Sequence, residues 1–205
     1  MNMRPYYAEG SKSLGFEVAE QLGWRLPDHV VVPIASGALM TKIHRAFSEL
    51  EEIGAVESKP YRISGAQPEG CSPVATAFRE DAAEIRPVKP DTVAKSLAIG
   101  DPADGWYAIQ TARRTGGAID ACTEREVVAG VTLLAETEGV FTETAGGVTI
   151  AVLKRLVEQG AIPPEEETVA LVTGNGYKTV EALEGTLEPS YHVEPDLDDF
   201  LAALG

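Results

Sequence analysis

The sequence predicts an α/β fold: an open parallel sheet with helices on both faces, in three layers, as a single domain over residues 1–205. Short apolar runs rich in β-branched residues alternate with segments whose apolar residues recur every three to four positions. Strands that alternate with helices of about 10 to 15 residues imply right-handed crossovers and a parallel sheet covered on both sides. The content of 44% hydrophobic and 24% charged residues is that of an ordinary globular protein.

Two strands and three helices are predicted in the first half of the chain. Leu14, Val18 and Leu22 recur every four positions and predict a helix that ends at Gly23. The run HVVVPI is apolar on both faces, as expected for a buried parallel strand. The predicted elements that follow are a helix at 35–50, a strand at 61–67 and a helix that begins in 72–80.

The second half continues the alternation. Thr123 and Glu126 have the spacing of a capping box and predict the start of a helix. Gly160 and the pair Pro163-Pro164 predict the end of the next helix. The other predicted elements are a helix at 105–114, strands at 118–121 and 168–172, and a short amphipathic helix at 196–205.

The charge pattern excludes several classes of function. The chain has 32 acidic and 17 basic residues and a formal charge of −15, whereas binding to nucleic acid or to an anionic membrane requires concentrated positive charge. No apolar run approaches the roughly 20 residues of a membrane span, and the first residues lack the apolar region of a signal peptide. We therefore expect a cytoplasmic protein without nucleic-acid or membrane partners.

The cysteines and histidines suggest no metal site. Cys71 and Cys122 are too isolated for a disulfide framework or a zinc site, and we expect both to be reduced structural residues. His29, His44 and His192 lack partners at metal-ligand spacing, and we expect them in loops or at the surface.

Three loops leave the carboxyl edge of the predicted sheet, where open parallel sheets bind ligands: Ala35–Leu39, 65–70 and 173–178. In the first loop, small residues lead into a helix, whose exposed N–H groups and dipole suit a phosphate. Ser36 adds a hydroxyl donor, and Gly37 lets the backbone approach a ligand closely. The motif is neither a Walker sequence nor Gly-x-Gly-x-x-Gly, and on the residues alone a tight turn that binds nothing is favoured.

Two charged residues near the other loops have alternative interpretations. Glu143 either faces a ligand pocket or is an acidic residue that a helix start favours through its dipole. Lys178 is either an amine nucleophile or a solvated loop lysine, and nothing in the sequence indicates a lowered pKa for it. The residues alone favour the second interpretation in both cases.

Six motifs, in order and in register, resemble the threonine synthase family of fold type II, tryptophan-synthase-β-like, pyridoxal phosphate enzymes. The similarity extends from about Arg4 to Val180, and the first two motifs favour threonine synthase over the related dehydratases. The motifs are RPYYAEGSKSLGFEVAEQLGW, VVVPIASGALMTKI, GAQPEGCSPV, SLAIGDPADG, GVFTETAGGVTIAVLKRL and ALVTGNGYKT.

The resemblance implies a cofactor site for pyridoxal 5'-phosphate. Backbone amides of the Ala35–Leu39 loop would hold the phosphate, although many relatives have a Gly-Asn-Ala-Gly-Asn type loop at this place. Thr173 would meet the pyridine nitrogen with a neutral hydroxyl, and Gly174 and Gly176 would keep the wall beside the ring thin. Gly65 and Ala66 would line the ring face, and Glu143 lies in the family's pocket-lining Glu-x-Ala segment. The implied cofactor-binding residues are Ala35, Ser36, Gly37, Ala38, Leu39, Gly65, Ala66, Glu143 and Thr173.

The resemblance covers only the C-terminal half of the family's catalytic domain. The family's Schiff-base lysine lies upstream in a Ser-Phe-Lys-Asp-like motif, which does not occur here, nor does the Ser/Asn-rich loop that orients the substrate carboxylate. We therefore expect no catalytic residue in this chain and no synthase activity from it alone. The seven lysines, all in unrelated contexts, are Lys12, Lys42, Lys59, Lys89, Lys95, Lys154 and Lys178.

The family's reaction converts O-phospho-L-homoserine and water to L-threonine and phosphate, so the implied substrate is a phosphorylated amino acid. Two alternatives remain open: another fold type II enzyme, such as a serine/threonine dehydratase or a cysteate synthase type, and a non-catalytic remnant that binds pyridoxal phosphate. The intact enzyme is expected to be a homodimer. Because half a domain would expose apolar surface, this chain is expected to self-associate or to need a complementary N-terminal half.

Overall fold

The structure, a computed structural model, describes residues 5–186 and 191–204. Within these residues the predicted strands are present, and each lies close to its expected position. They are β1 (His29–Pro33), β2 (Arg62–Pro68), β3 (Ile119–Cys122) and β4 (Thr168–Ala170).

Helices connect and flank these strands, and the predicted helices are all present. One helix, α1, was not predicted, because its six residues are too few to show a period. The helices are α1 (Pro5–Gly10), α2 (Ser13–Gln21), α3 (Ala38–Glu52), α4 (Pro73–Arg79), α5 (Gly105–Thr115), α6 (Glu124–Glu138), α7 (Thr144–Glu158) and α8 (Leu197–Leu204).

The four strands form a parallel sheet in the order β3-β2-β1-β4. Val31, in the centre of β1, is in register with Ser64 of β2 on one side and with Ala170 of β4 on the other. Every residue of β1 is buried, as its uninterrupted apolar run indicates. The prediction of a parallel α/β sheet is therefore confirmed.

Two hydrophobic clusters lie on opposite faces of the sheet and give it three layers. Val30 and Val32 point into the cluster that contains Ile43 and Phe47 of α3 and apolar residues of α2, α4 and α5. Val31 points to the other face, where α6 and α7 pack. Alternate residues of β1 thus pack against the helices on opposite faces of the sheet.

The pair α6 and α7 packs closely because it carries small residues. A Cβ on Gly130 of α6 would lie only 2.3 Å from the carbonyl oxygen of Gly147 in α7. The predicted capping box begins α6: Thr123 Oγ1 accepts from the Glu126 N–H, and the Glu126 carboxylate accepts from the Thr123 N–H. Hydrogen bonds from Arg155 and Thr123 lower the pKa of Glu126 to about 2.

Two expectations about the strands were wrong. The loop predicted at 65–70 begins later, because Gly65 through Pro68 continue β2. His29 is not at the surface; it is only 2% exposed, and its Nε2 lies 2.7 Å from Ser64 Oγ. Burial lowers the pKa of His29 to about 4, so the ring is neutral near pH 7.

Candidate functional site

A cavity of about 200 Å³ lies at the carboxyl edge of the sheet. Three segments that are distant in sequence line it: the loop Ala35–Leu39 after β1, Glu143 at the start of α7, and Thr173 after β4. The carboxyl ends of β1 and β4 meet at this edge because the two strands are parallel neighbours. Seven of the nine residues predicted to bind the cofactor therefore surround one cavity.

The loop after β1 lines this cavity and leads into α3, where the Ala38 N–H donates to Ser36 Oγ at 3.4 Å. Gly37 has a φ of +98°, and a Cβ there would lie 2.6 Å from the carbonyl oxygen of Asp104. The Asp104 N–H in turn donates to the Ser36 carbonyl at 2.9 Å, which fixes the loop from behind. The amides of the first turn of α3 have no acceptor within their own helix, and the 15-residue helix adds its dipole.

Glu143 is a buried carboxylate in the wall of the cavity. Only 3% of the residue is exposed, and its backbone caps α7 without a side-chain capping hydrogen bond. Lys178 Nζ lies 2.8 Å from Glu143 Oε2 and supplies the opposite charge that a buried carboxylate requires. The interpretations of Glu143 as a residue favoured by the helix dipole and of Lys178 as a solvated loop lysine are therefore incomplete, since the two side chains form an ion pair.

The segment after β4 is attached to the start of α7 by backbone hydrogen bonds. The Glu143 N–H donates to the Gly174 carbonyl at 3.0 Å, and the Gly176 N–H donates to the Phe141 carbonyl at 3.0 Å. Thr142 and Asn175 form an isolated antiparallel bridge between the two segments. Thr173, with an exposed side chain, lies just before these attachments.

The glycines of this segment make room for protein side chains. A Cβ on Gly174 would lie 2.2 Å from Glu143 Oε1, and one on Gly176 would lie 2.5 Å from the ring of Phe141. The sequence suggested that these glycines keep the wall beside a ligand thin. In the structure, close packing against Glu143 and Phe141 is sufficient reason for both.

Two predicted residues do not line the cavity. Gly65 and Ala66 lie inside β2, where a Cβ on Gly65 would lie 2.2 Å from Ile34 Cδ1, and the Ala66 carbonyl accepts from the Ile34 N–H. Their assignment to the ring face remains a prediction. The loop predicted at 65–70 placed them beyond a strand end, whereas β2 continues to Pro68.

Sequence reasoning missed other residues of the cavity wall. Tyr7 from α1, Ser96 and Leu97 from a 3₁₀ turn before α5, and Ala145 from α7 all line it. Tyr7 and Ser96 lie in two of the six quoted motifs, which was the only signal for them. No period or spacing connects them with β1, because tertiary packing alone brings them to this edge.

Apart from Glu143, which is paired with Lys178, the described side chains of the cavity wall are uncharged. Among the described residues that line the cavity there is no Lys or Arg, so a bound phosphate would be contacted by backbone amides and by the hydroxyls of Ser36 and Ser96. A larger groove of about 710 Å³ lies between α6 and α7, but none of the predicted site residues lines it. The predicted site therefore corresponds to the smaller cavity.

Other features of the described residues set limits on the chemistry. Cys71 and Cys122 are free and buried, and burial raises the pKa of both thiols, that of Cys122 to about 12. Neither thiol is therefore a reactive nucleophile near neutral pH.

Over residues 5–186 and 191–204, no helix has the length and apolar character needed to cross a bilayer.

Comparison with known sequences connects the chain to one enzyme family. Residues 2–174 match the profile of the family described as "Pyridoxal-phosphate dependent enzyme". The chain is 35% identical over 198 residues to threonine synthase of Methanocaldococcus jannaschii, in an alignment that covers 96% of this chain and 49% of that protein. It is 32% identical over 204 residues to threonine synthase of Methanosarcina acetivorans, covering 99% and 50%. The chain thus spans about half the length of the curated relatives it matches.

Solved structures show the same fold at lower identity. The L-serine ammonia-lyase of Rhizomucor miehei superimposes with a TM-score of 0.71 at 17% identity, over 90% of this chain and 58% of that chain. The threonine deaminase isoform 2 of Solanum lycopersicum gives a TM-score of 0.66 at 19% identity, over 87% and 50%. These similarities show that the fold is that of the fold type II enzymes.

Proposed function

Since the chain belongs to the family of pyridoxal-phosphate-dependent enzymes, whose cofactor is pyridoxal 5'-phosphate, we propose that it supplies the cofactor site of a threonine synthase-like lyase. The proposed reaction converts O-phospho-L-homoserine and water to L-threonine and phosphate. The observation that carries the proposal is the convergence of Ala35–Leu39, Glu143 and Thr173 on one cavity at the carboxyl edge. The curated relatives named threonine synthase support this reaction over the alternatives.

The residues of the cavity suit the two ends of the cofactor. The first-turn amides of α3 and the Ser36 hydroxyl would hold the phosphate, in a place where the helix dipole favours negative charge. The exposed hydroxyl of Thr173 would contact the ring nitrogen. Because a hydroxyl is neutral, it would leave that nitrogen without the full positive charge that an aspartate partner stabilises.

The bound cofactor would supply an electron sink for the carbons of the substrate. The residues of this chain would bind and orient the cofactor, and none of them is proposed to hold or move a proton of the substrate. The buried Glu143, neutralised by Lys178, would close one wall against water. We propose that the lysine that forms the Schiff base lies outside this chain.

The size of the cavity also favours a shared site. Sites for small molecules usually enclose about 300–1,000 Å³, whereas the described residues enclose about 200 Å³. We propose that a complementary N-terminal half, carrying the lysine and the loop for the substrate carboxylate, forms the opposite wall. The complete enzyme would be a homodimer in the cytoplasm, where the buried Cys71 and Cys122 stay reduced.

Complementation tests this proposal. Purified chain 1–205 would be incubated with pyridoxal phosphate and O-phospho-L-homoserine, alone and with the separately expressed N-terminal half of the M. jannaschii threonine synthase. We expect phosphate release only from the mixture, and loss of it when the lysine of the added half is replaced by alanine. Serine and threonine serve as competing substrates, and faster turnover of either would indicate a dehydratase. Turnover by the chain alone would contradict the proposal.

A further inference from the structure

The ion pair between Glu143 and Lys178 joins two segments that the sheet does not hold together. Glu143 precedes α7, whereas Lys178 ends the 3₁₀ turn Gly176–Lys178 that follows β4. The side chain of Glu143 is 4% exposed and that of Lys178 is 60% exposed, so the pair connects the cavity wall to the surface. A carboxylate this deeply buried is costly unless a cation neutralises it.

The close packing around the pair leaves Glu143 little freedom. Gly174 lies directly against the carboxylate, and a Cβ there would also lie 3.1 Å from Lys178 Nζ. Oε2 is buried and, apart from the facing ammonium, has no hydrogen-bond partner among the described residues. If Lys178 were absent, Glu143 would have to stay buried with an unpaired charge or push the segment aside.

The pair acts on the segment that carries Thr173. Beyond β4, this segment is attached to the start of α7 through Gly174, Asn175 and Gly176. Both Val172 and Thr173 are exposed, so little apolar burial fixes them. The position of Thr173 relative to Ala35–Leu39 therefore depends on these attachments.

We propose that Lys178 is a positioning residue: its ion pair with Glu143 holds the segment Thr173–Lys178 against the start of α7 and so keeps Thr173 in the wall of the cavity that Ala35–Leu39 also lines. What Thr173 then contacts rests on the proposed function. The ion pair itself does not, because it is complete in the protein without any ligand. The inference can therefore be tested on the chain alone.

Amide hydrogen exchange of the full chain, followed residue by residue by NMR, measures how often the segment Thr173–Lys178 separates from the start of α7. The reporters are the Glu143 and Gly176 N–H groups, which cross between the two segments. Lys178→Met should accelerate their exchange about ten-fold, because it leaves a buried charge unpaired. Glu143→Gln should accelerate it about three-fold or less, since no buried charge remains. Lys178→Arg should restore exchange to within about two-fold of the original chain.

A double variant and a control variant test whether loss of the Glu143–Lys178 ion pair causes the faster exchange. Glu143→Gln added to Lys178→Met should recover most of the lost protection, because the two changes act on one interaction. Lys154→Met removes another lysine–glutamate pair, with Glu158 on the outer surface of α7, and should leave the reporters unchanged. Equal effects of Lys178→Met and Lys154→Met, or additive effects in the double variant, would overturn the inference. If exchange responds as expected while pyridoxal phosphate fails to bind, the proposed function is wrong and the positioning role stands.

Discussion

The two edges of the sheet are built in different ways. At the amino edge, charged side chains join the strands: Arg62 of β2 pairs with Glu166 before β4, and Lys59 Nζ lies 2.5 Å from Asp28 Oδ1 before β1. The buried His29–Ser64 contact lies beneath them. At the carboxyl edge, the described residues of the cavity wall are mostly small or apolar, and Glu143 is the charged one among them.

The two edges differ in the groups that they leave available to a ligand. Side chains that pair with one another have no free groups for a ligand, whereas the first-turn amides of α3 are left without intrahelical acceptors. Ion pairs thus connect the strand starts at the amino edge, whereas glycines at the carboxyl edge allow close packing of backbone and side chains. We therefore expect substitutions at the amino edge to change stability and its pH dependence, and substitutions at the carboxyl edge to change either stability or ligand binding, depending on whether the residue is packed or exposed.

The largest effect is expected where the carboxyl edge lacks space. Gly37→Ala would force a Cβ to within 2.6 Å of the Asp104 carbonyl oxygen at a φ of +98°, and should lower the free energy of unfolding by about 3 kcal/mol. Gly116→Ala is the matched control: its φ is +72°, but a Cβ there meets nothing within 4 Å, so about 1 kcal/mol is expected. Denaturant unfolding measures both, and equal losses would show that the packing around Gly37 is not restrictive.

A pH-dependent effect is expected at the amino edge. Burial, with the nearby Arg62 charge, lowers the pKa of His29 from its ordinary 6.5 to about 4. Between these values the unfolded chain binds a proton that the folded protein does not, so stability falls as the pH decreases from 6.5 to 4. The interval corresponds to roughly 3 kcal/mol. His29→Gln should remove this part of the pH dependence.

Unfolding at pH 4 and pH 7 tests the His29 prediction. The exposed His192 provides the control, since His192→Gln should leave the difference in stability between the two pH values unchanged. If the His29→Gln variant kept the pH dependence of the original chain, the pKa of His29 would not be lowered by burial, and the prediction would be wrong.

The smallest effect on stability is expected at Thr173. Its side chain is exposed, so Thr173→Val should change the free energy of unfolding by less than about 0.5 kcal/mol. The same substitution should weaken the binding of pyridoxal phosphate about five- to ten-fold, because one hydrogen bond is lost. Thr137→Val, on the outer face of α6, is the control for both measurements. Unchanged affinity in Thr173→Val would contradict the contact with the ring nitrogen.

Local sequence signals predicted most of the fold. The β-branched run of β1, the four-residue spacing in α2 and the Thr123–Glu126 capping box each determine a structure within a few residues, and each was found where expected. Ala35–Leu39 and Thr173 were expected at the same edge of the sheet because the carboxyl ends of parallel strands meet there.

The rest depends on contacts between residues far apart in sequence. The buried side chain of His29 contacts Ser64, which is 35 positions away on the neighbouring strand β2. Lys178 and Glu143 are also 35 positions apart, and neither residue alone reveals that the other neutralises it. Tyr7 and Ser96 reach the cavity through packing of α1 and of the turn before α5, which no periodicity indicates.

The most direct test of the central claim is an NMR titration of the ¹⁵N-labelled chain with pyridoxal phosphate, with inorganic phosphate as a second probe. Both ligands should shift the amides of Ser36, Gly37 and Leu39 in a saturable manner, and only pyridoxal phosphate should also shift Thr173. Saturable shifts confined to other surfaces, such as the groove between α6 and α7, or no shifts at millimolar ligand, would contradict the account.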